Sequence, residues 1–428
     1  MNPYIQYMYS YPHKTAYRPL TGISLGDYAS LLSGGGHGLY LHIPFCQAKC
    51  GYCNLFSVAG QNTDRVDRYL DAVERQCRQY QEVLAPNKSE FSELVIGGGT
   101  PLCLTEKQLD RMFTMLHHYF RFAANKELIV ETAPNQTSKE KLRILKQAGT
   151  TRISIGIQSF SDKELKAFRR QHNVQAARKA LELINMFNFG CVNMDFIYGN
   201  PQQNEESLMI SLKEALCYEP DEIFLYPLYV RRGVGLEREG VVCNPKRVYA
   251  QYQAGSRFLR EAGFRQDSMR RFVKQKQKRA FSECGFGTSL GLGCGGRSYL
   301  GKLHFCTPYA VSAKACAAQL EAFLQTADFT QITNGIILTE EELKRRYIIR
   351  HLLIYPGVDC EQYQAHFGSL VMTDFPILEK WVTQGYIAKA GQMLALTPQG
   401  LGLSDFLGPQ LISPEIAELM EKWEEANG

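Results

Sequence analysis

The chain has 428 residues, a net charge of +5 at pH 7, and 45% hydrophobic and 21% charged residues. This composition is typical of a globular protein with one large and one smaller domain, and the weak net charge argues against nucleic acid or a membrane surface as main partner. No apolar run is long enough to span a membrane and no signal-peptide core is visible, so we expect the protein in the cytoplasm.

Strands and helices alternate through the first half of the sequence. The predicted strands are short apolar runs at 39–43, 92–96, 128–132, 152–157, 192–197 and 222–226. The first predicted helix spans 63–83, and the second runs from a capping box formed by Thr105 and Gln108 to Phe120. The third is capped by Thr137 and Glu140 and ends at Gly149. Two more begin at Asp162 and Val174, and the last spans 205–218. These β-α steps predict an α/β fold with a parallel sheet, interpreted as a partial (β/α)6 barrel, although a doubly wound open sheet has the same local pattern. Such sheets place functional residues at the C-terminal ends of their strands.

The pattern changes after about Ser298. Predicted helices at 308–325, 340–353 and 374–384 precede two short strands, 386–390 and 393–396, which is typical of a helical, winged-helix-like domain. We therefore predict an N-terminal arm (1–37), a barrel (38–300), a helical linker (301–334) and a C-terminal domain (335–428). The modest charge of the C-terminal domain argues against DNA binding and favours a lid or a partner surface.

Three of the 13 cysteines, Cys46, Cys50 and Cys53, lie in one loop after the first strand. The other ten are scattered, and most are predicted to be reduced core residues. Three thiolates in one tight loop can bind three irons of a [4Fe-4S] cluster and leave the fourth iron open. S-adenosylmethionine (SAM) can chelate that iron, and an electron from the cluster can then split its sulfonium bond. The alternative is a zinc site completed by His42 or a distant cysteine, but no second cysteine or histidine pair at zinc spacing is present.

Several motifs follow one another along the chain. They are Tyr40-Leu-His42-Ile-Pro-Phe-Cys46 with Cys50, Tyr52 and Cys53, then Gly97-Gly-Gly-Thr100-Pro101, Glu131, the segment from Arg152 to Phe160, and the segment from Asp195 to Pro201. Together they resemble the oxygen-independent coproporphyrinogen III oxidase family, which includes HemN and its relative HemW, a haem chaperone. The resemblance covers about residues 39–300 well and the C-terminal domain loosely.

The resemblance implies a radical SAM barrel with cluster and cofactor residues at matching positions. Cys46, Cys50 and Cys53 would hold the cluster, and the SAM bound to it would be contacted by Tyr40, Gly98, Gly99, Thr100 and Glu131, with Arg297 on the adenine side. Positions that contact a second SAM in HemN match Tyr52, Gln158, Arg170, Asp195 and Tyr229. Without the resemblance, each of these residues also has a structural interpretation. The glycines could form only a tight turn, and Glu131 and Asp195 could be surface or capping carboxylates. Gln158 and Arg170 could be a structural hydrogen-bond pair.

Two basic segments are candidates for the substrate side. His13, Lys14 and Arg18 lie in an arm dense in aromatic residues, which we predict to fold over the barrel mouth and bind carboxylates or phosphates; a solvated terminus is the alternative. Arg270 and Arg271 could bind substrate in the same way or form a surface basic pair. The segments after Cys53 and at 267–272 differ from HemN, so the resemblance leaves the substrate open.

The leading interpretation is a radical SAM oxidoreductase that abstracts hydrogen from a small-molecule substrate. A porphyrinogen propionate, which would then lose CO₂, is one such substrate, with flavodoxin or ferredoxin as reductant. The alternatives are a haem-binding chaperone without turnover and a radical methylase or cyclopropanase that uses two SAM molecules.

Overall fold

The computed structural model describes residues 2–8, 10–60, 62–274 and 287–427. The strands are β1 (Arg18–Pro19), β2 (His37–Ile43), β3 (Phe45–Cys46), β4 (Val58–Ala59), β5 (Glu90–Gly98), β6 (Arg121–Thr132), β7 (Arg152–Gln158), β8 (Cys191–Tyr198), β9 (Glu222–Pro227), β10 (Phe264–Gln266), β11 (Arg271–Lys274), β12 (Ser289–Leu292), β13 (Ser298–Leu300), β14 (Leu303–Phe305), β15 (Asn334–Ile337), β16 (Val358–Asp359), β17 (Ile387–Ala390) and β18 (Met393–Leu396). The α-helices are α1 (Thr63–Leu84), α2 (Glu106–Tyr119), α3 (Lys139–Gln147), α4 (Asp162–Ala167), α5 (Val174–Phe187), α6 (Glu205–Leu216), α7 (Gly235–Arg238), α8 (Pro245–Glu261), α9 (Ala313–Gln325), α10 (Glu340–Leu352), α11 (Cys360–Phe367), α12 (Val371–Asp374), α13 (Ile377–Thr383), α14 (Pro398–Leu401), α15 (Ser404–Leu407) and α16 (Pro414–Asn427).

Across the described ranges, thirteen strands form one sheet whose centre is parallel. Its order is β1-β15-β14-β13-β12-β2-β5-β6-β7-β8-β9-β11-β10, and the pairings from β12 to β9 are all parallel. The six predicted strands are therefore confirmed, and the prediction missed β12, a seventh parallel strand. Among the described residues no ladder joins the two edge strands, so the fold is an α/β partial barrel with antiparallel extensions.

The parallel strands alternate between apolar residues that pack under the helices and more polar residues that face the other way. Ile153, Ile155 and Ile157 of β7 lie in the main core, whereas Ser154 and Gly156 between them line a cavity. Adjacent residues of a strand point to opposite faces, so this alternation covers one face with helices and leaves a polar inner face. Helix α1 packs on the outer side through Val66, Leu70 and Val73, as its spacing predicts.

The C-terminal elements have a second hydrophobic core, formed mainly by α10 to α16 and the three-stranded sheet β16-β18-β17. Trp381 is buried there, and Tyr11 and Ala16 of the N-terminal segment belong to the same core. The arm and the C-terminal end of the chain therefore pack together, since Tyr11 also donates a hydrogen bond to Glu342 of α10. The domain limits given by the sequence analysis stay a prediction.

Three predictions of local structure are wrong. Helix α3 is capped by Ser138, which accepts from the N–H of Lys141, because the hydroxyl of Thr137 instead donates to the carbonyl of Ala133. The helix predicted at 374–384 is two helices, α12 and α13, separated at Phe375 and Pro376, where proline has no N–H for a continuous helix. Strands β13, β14 and β15 also occupy part of the stretch in which helices were expected to dominate.

The scattered cysteines largely match the prediction of core residues. Cys77, Cys103, Cys191, Cys294, Cys306 and Cys316 are buried and free, Cys217 is exposed, and Cys284 lies outside the described residues. Within the described ranges, no helix combines the length and the apolar character that crossing a bilayer requires.

Candidate cluster and cofactor site

A cavity of about 370 Å³ lies at the C-terminal ends of the parallel strands, and we call it the cluster-loop cavity. All three cysteines of the predicted cluster loop line it. So do the polar ends of successive strands, namely Gly98, Glu131, Gln158, Asp195 and Tyr226. In parallel α/β folds, functional residues are expected at this carboxyl edge of the sheet.

The loop that carries the cysteines is fixed by backbone hydrogen bonds on both sides. Thr100 donates its N–H to the carbonyl of Phe45 at 2.8 Å, next to Cys46. At the far end, Gly51 donates to the carbonyl of Phe168 at 3.0 Å and accepts from the N–H of Leu236 at 2.8 Å. The loop is thus bound to the turn after β5, to the segment after α4 and to α7, which limits the positions its thiols can take.

The three thiols are half-buried and close enough to influence one another. Burial, then the neighbouring Cys53, raises the pKa of Cys46 to about 12, and burial with Cys50 nearby raises the pKa of Cys53. Thiolates there need positive charge from a bound group, because desolvation and mutual repulsion both oppose ionisation.

The arrangement does not suit a single zinc ion. Among the described residues, no group of three or more cysteine, histidine or carboxylate side chains could hold one metal ion. Both nitrogens of His42 are engaged, Nδ1 with the hydroxyl of Tyr40 at 3.1 Å and Nε2 with the carbonyl of Phe56 at 2.9 Å. A cubane places each cysteine on a different iron, whereas zinc needs all of its ligands around one ion, so the donor set fits the cluster better.

The glycine turn after β5 brings the backbone against the cysteine loop and Glu131. A β-carbon at Gly99 would lie 2.6 Å from the carbonyl oxygen of Phe45 and 2.8 Å from Sγ of Cys46. Gly98 has φ of +119° and donates its N–H to Oε2 of Glu131 at 3.1 Å. The turn therefore requires glycine for its own packing, besides leaving space for a ligand.

Two carboxylates face the cavity from β6 and β8, the strands on either side of β7. Burial raises the pKa of Glu131 to about 7, partly offset by the hydrogen bond from Gly98. Burial also raises the pKa of Asp195 to about 6, and Asn193 donates to its Oδ1 at 2.8 Å and to the hydroxyl of Ser154 at 2.6 Å. A cation or hydrogen-bond donor in the cavity would stabilise the ionised form of either carboxylate.

Two buried acceptor atoms in the cavity wall have no hydrogen-bond partner among the residues that the structure describes. They are Oε1 of Gln158 and Nδ1 of His172, whose residues are 8% and 6% exposed. Nε2 of His172 lies 3.1 Å from the carbonyl of Ile157, so the proton is on Nε2 and Nδ1 is an acceptor. Buried acceptors are normally satisfied, and the amino and hydroxyl groups of SAM are suitable donors. The residues present thus fit both a cluster and SAM.

Most of the predicted cofactor residues come together at this cavity. Its lining includes Tyr52, Gly98, Gly99, Thr100, Glu131, Gln158, Arg170, Asp195 and Tyr229. Tyr40 and Arg297 are not part of that lining. Tyr40 contacts His42, and the buried Arg297 donates to the hydroxyls of Ser10 and Tyr299 at 2.7 and 2.9 Å. The cofactor roles of all these residues stay predictions.

The basic residues predicted for substrate binding are engaged within the fold. His13 contacts the hydroxyl of Thr15, Lys14 lies 4.0 Å from the ring centre of Tyr309, and Arg18 donates to backbone carbonyls. The surface alternative for Arg270 and Arg271 is wrong, because both are buried, paired with Asp405 and Glu222 respectively.

The sequence analysis missed several residues of the cavity, including Tyr7, Ser154, His172 and Asn193. Alternation along a strand could have indicated Ser154 and Asn193, since each lies two positions from another polar residue of the inner face. No local pattern indicates Tyr7 or His172, because both enter the cavity from segments outside the strands.

A second cavity of about 300 Å³ adjoins the first and extends towards the C-terminal helices. We call it the inner chamber. Both cavities share Tyr7, Glu131, Ser154, Asp195 and Tyr226 in their walls. Arg152, Arg270 and Arg350 line the inner chamber, so positive side chains lie beyond the two carboxylates.

Comparison with known proteins identifies the class. Residues 40–215 match the family described as the Radical SAM superfamily, and this span contains the cysteine loop, the glycine turn, Glu131 and Asp195. This span is therefore similar to radical SAM domains, a similarity that implies a [4Fe-4S] cluster and SAM.

Curated relatives specify the family further. The chain is 25% identical over 429 residues to the oxygen-independent coproporphyrinogen III oxidase of Escherichia coli (strain K12), covering 92% of this chain and 91% of the relative. It is 25% identical over 389 residues to the heme chaperone HemW of Bacillus subtilis (strain 168), covering 89% and 99% respectively. The structure of coproporphyrinogen III oxidase (HemN) from Escherichia coli has the same fold, with a TM-score of 0.81, 22% identity and 98% of each chain covered. The chain is thus similar to HemN and to HemW along most of its length.

Proposed function

We propose that this chain is a radical SAM oxidoreductase that binds a [4Fe-4S] cluster through Cys46, Cys50 and Cys53. The single observation that carries the proposal is that the three thiols share one cavity with two half-buried carboxylates and two acceptor atoms that have no partner among the described residues. When bound, cluster and SAM would supply reductive cleavage of the sulfonium bond and hydrogen abstraction from substrate.

The protein would act by binding and orienting SAM. Gly98 and Gly99 allow close approach to the backbone, and Thr100 adds a hydroxyl. Ionised Glu131 would accept from the ammonium or ribose hydroxyls of SAM, and Gln158 with His172 would accept from further donors. Tyr40 and Arg297 contact other partners here and are not part of this proposal.

Aromatic side chains would limit access of water to the reacting centre. The ring of Tyr7 stacks on that of Tyr229, with planes 6° apart and centres 6.1 Å apart, and both line the cluster-loop cavity. Exclusion of water matters in a reaction that abstracts hydrogen, because it protects reactive species from side reactions.

We propose coproporphyrinogen III as the first substrate to test and a low-potential protein such as flavodoxin or ferredoxin as electron donor. The similarity to coproporphyrinogen III oxidases over nine tenths of the chain supports the substrate. The inner chamber supports it too, because it offers space beyond the SAM residues.

The test uses protein reconstituted anaerobically with iron and sulfide and then supplied with SAM, dithionite and coproporphyrinogen III. We expect 5′-deoxyadenosine to be released and substrate to lose carboxyl groups, both measured by mass spectrometry. Absence of 5′-deoxyadenosine from protein with a full cluster would contradict the enzymatic proposal. Release without decarboxylation would keep the reaction class and reject this substrate.

The second candidate is a haem chaperone, which the similarity to HemW over 99% of that protein favours. Such a protein would bind haem with a Soret band and release no 5′-deoxyadenosine in the same assay. A radical methylase would instead form S-adenosylhomocysteine together with 5′-deoxyadenosine, so the product ratio separates it from the first candidate.

A further inference from the structure

Arg170 reaches the sulfur of one cysteine of the loop. Its Nη1 lies 3.2 Å from Sγ of Cys50 and 3.4 Å from the hydroxyl of Tyr52, and its Nη2 donates to the carbonyl of Gly156 at 2.9 Å. The guanidinium therefore bridges the strand end of β7 and the cysteine loop.

The backbone before Arg170 separates it from its neighbour. Arg169 has φ of +55°, a left-handed conformation that reverses the chain direction after α4. Arg169 is exposed and forms an ion pair with Glu239, whereas Arg170 turns inward to Cys50. A matched control is Arg178 of α5, which is exposed and pairs with Glu214 at 2.7 Å.

Arginine keeps its charge at every pH that the protein tolerates, so this donor is a fixed positive group beside a sulfur. A hydrogen bond from a cation to a thiolate is stronger than one between neutral groups. Hydrogen bonds to cluster sulfurs and nearby charge set the reduction potential, because an added electron places more negative charge on them.

We propose that Arg170 is a positioning residue that orients the Cys50 thiolate and makes the reduction potential of the bound cluster less negative. This inference rests on the proposed cluster at Cys46, Cys50 and Cys53. It differs from the resemblance, which implies that Arg170 contacts a second SAM. In the step concerned, one electron passes from a low-potential donor to the cluster, and no bond to Arg170 forms or breaks.

The test is an EPR-monitored redox titration of the reconstituted protein with dithionite, without SAM. The variants are Arg170→Gln, Arg170→Lys and the control Arg178→Gln. We expect the midpoint potential of R170Q to shift to a more negative value, that of R170K to shift less, and that of R178Q to equal the wild type. EPR reports only chains that contain a cluster, so the potential remains measurable if cluster content falls.

Two results would overturn the inference. The first is an unchanged potential in R170Q, particularly if the spectral response to added SAM is weakened, which would make Arg170 a ligand-binding residue. The second is complete loss of cluster from both R170Q and R170K, which would assign Arg170 to folding of the loop. Failure of the wild-type protein to take up iron and sulfide would instead refute the proposed function, a result distinct from both.

Discussion

At the scale of single residues, the thiols of the cysteine loop should be needed for the cluster. We expect each of Cys46→Ala, Cys50→Ala and Cys53→Ala to abolish most of the bound iron and sulfide and the visible absorbance of the reconstituted protein, because a cubane with an open iron needs all three ligands. Cys217→Ala is the matched control, since that thiol is exposed and distant in sequence. Full cluster content in any of the three loop variants would contradict the assignment.

From the two half-buried carboxylates, Glu131 and Asp195, we predict how the stability of the protein depends on pH. Folding raises the pKa of Glu131 from 4.5 to about 7 and that of Asp195 from 3.8 to about 6. Between these values the folded protein binds more protons than the unfolded chain, so the free energy of unfolding should fall as pH rises from about 4 to 7 and then level off.

Urea unfolding of the cluster-free protein, carried out anaerobically across this pH range, would check that prediction. Glu131→Gln should reduce the total fall in the free energy of unfolding by roughly 2 kcal/mol, which is less than the full pKa shift implies because solvent in the open cavity partly screens the carboxylate. Glu182→Gln, at an exposed surface position, should leave the profile as in the wild type. If the free energy of unfolding of the wild type instead rises with pH over this range, burial is not the main influence on the pKa values of these carboxylates.

At the scale of elements, strongly patterned segments could be predicted from the sequence and short ones could not. The six long parallel strands and helix α1 are where their apolar periodicity indicates. Strand β12 has only four residues, one of them glycine, and its position depends on pairing with β2, a long-range contact that no local pattern encodes. The same reason explains why Tyr7 and His172 were missed, whereas the cysteine loop, a local motif, was found.

The contact between the glycine turn and the cysteine loop makes an element-scale prediction. Gly99→Ala would force a methyl group into the carbonyl of Phe45 and the sulfur of Cys46, and overpacking of this kind costs roughly 1–3 kcal/mol. We expect a lower iron content after reconstitution, with circular dichroism close to that of the wild type. In contrast, Gly287→Ala should have no effect, because nothing in the described part of the chain lies within 4 Å of the added carbon. Equal iron content in both variants would mean that the two loops move independently.

At the scale of the whole molecule, one carboxylate joins the arm, the barrel and the C-terminal helices. Asp405 of α15 is fully buried and pairs with Arg270, which precedes β11. It also accepts from the hydroxyl of Tyr229 and, at 3.2 Å, from the N–H of Met8. The cation of Arg270 lies 3.9 Å from the ring centre of Tyr7, so the same group holds the aromatic wall of the cluster-loop cavity.

Asp405→Asn should therefore loosen the N-terminal arm as well as lower stability. Removing one partner of a buried ion pair leaves an uncompensated charge, which costs about 3–5 kcal/mol. We expect a lower melting temperature and faster tryptic cleavage after Lys14, because a neutral amide holds the N–H of Met8 less strongly than a carboxylate does, while the sequence of the arm is unchanged. Glu418→Gln, which breaks an exposed pair with Lys422, should change neither result. If D405N melts earlier but its arm is cleaved at the wild-type rate under native conditions, Asp405 stabilises the core alone, and the closure of the cavity by Tyr7 must depend on other contacts.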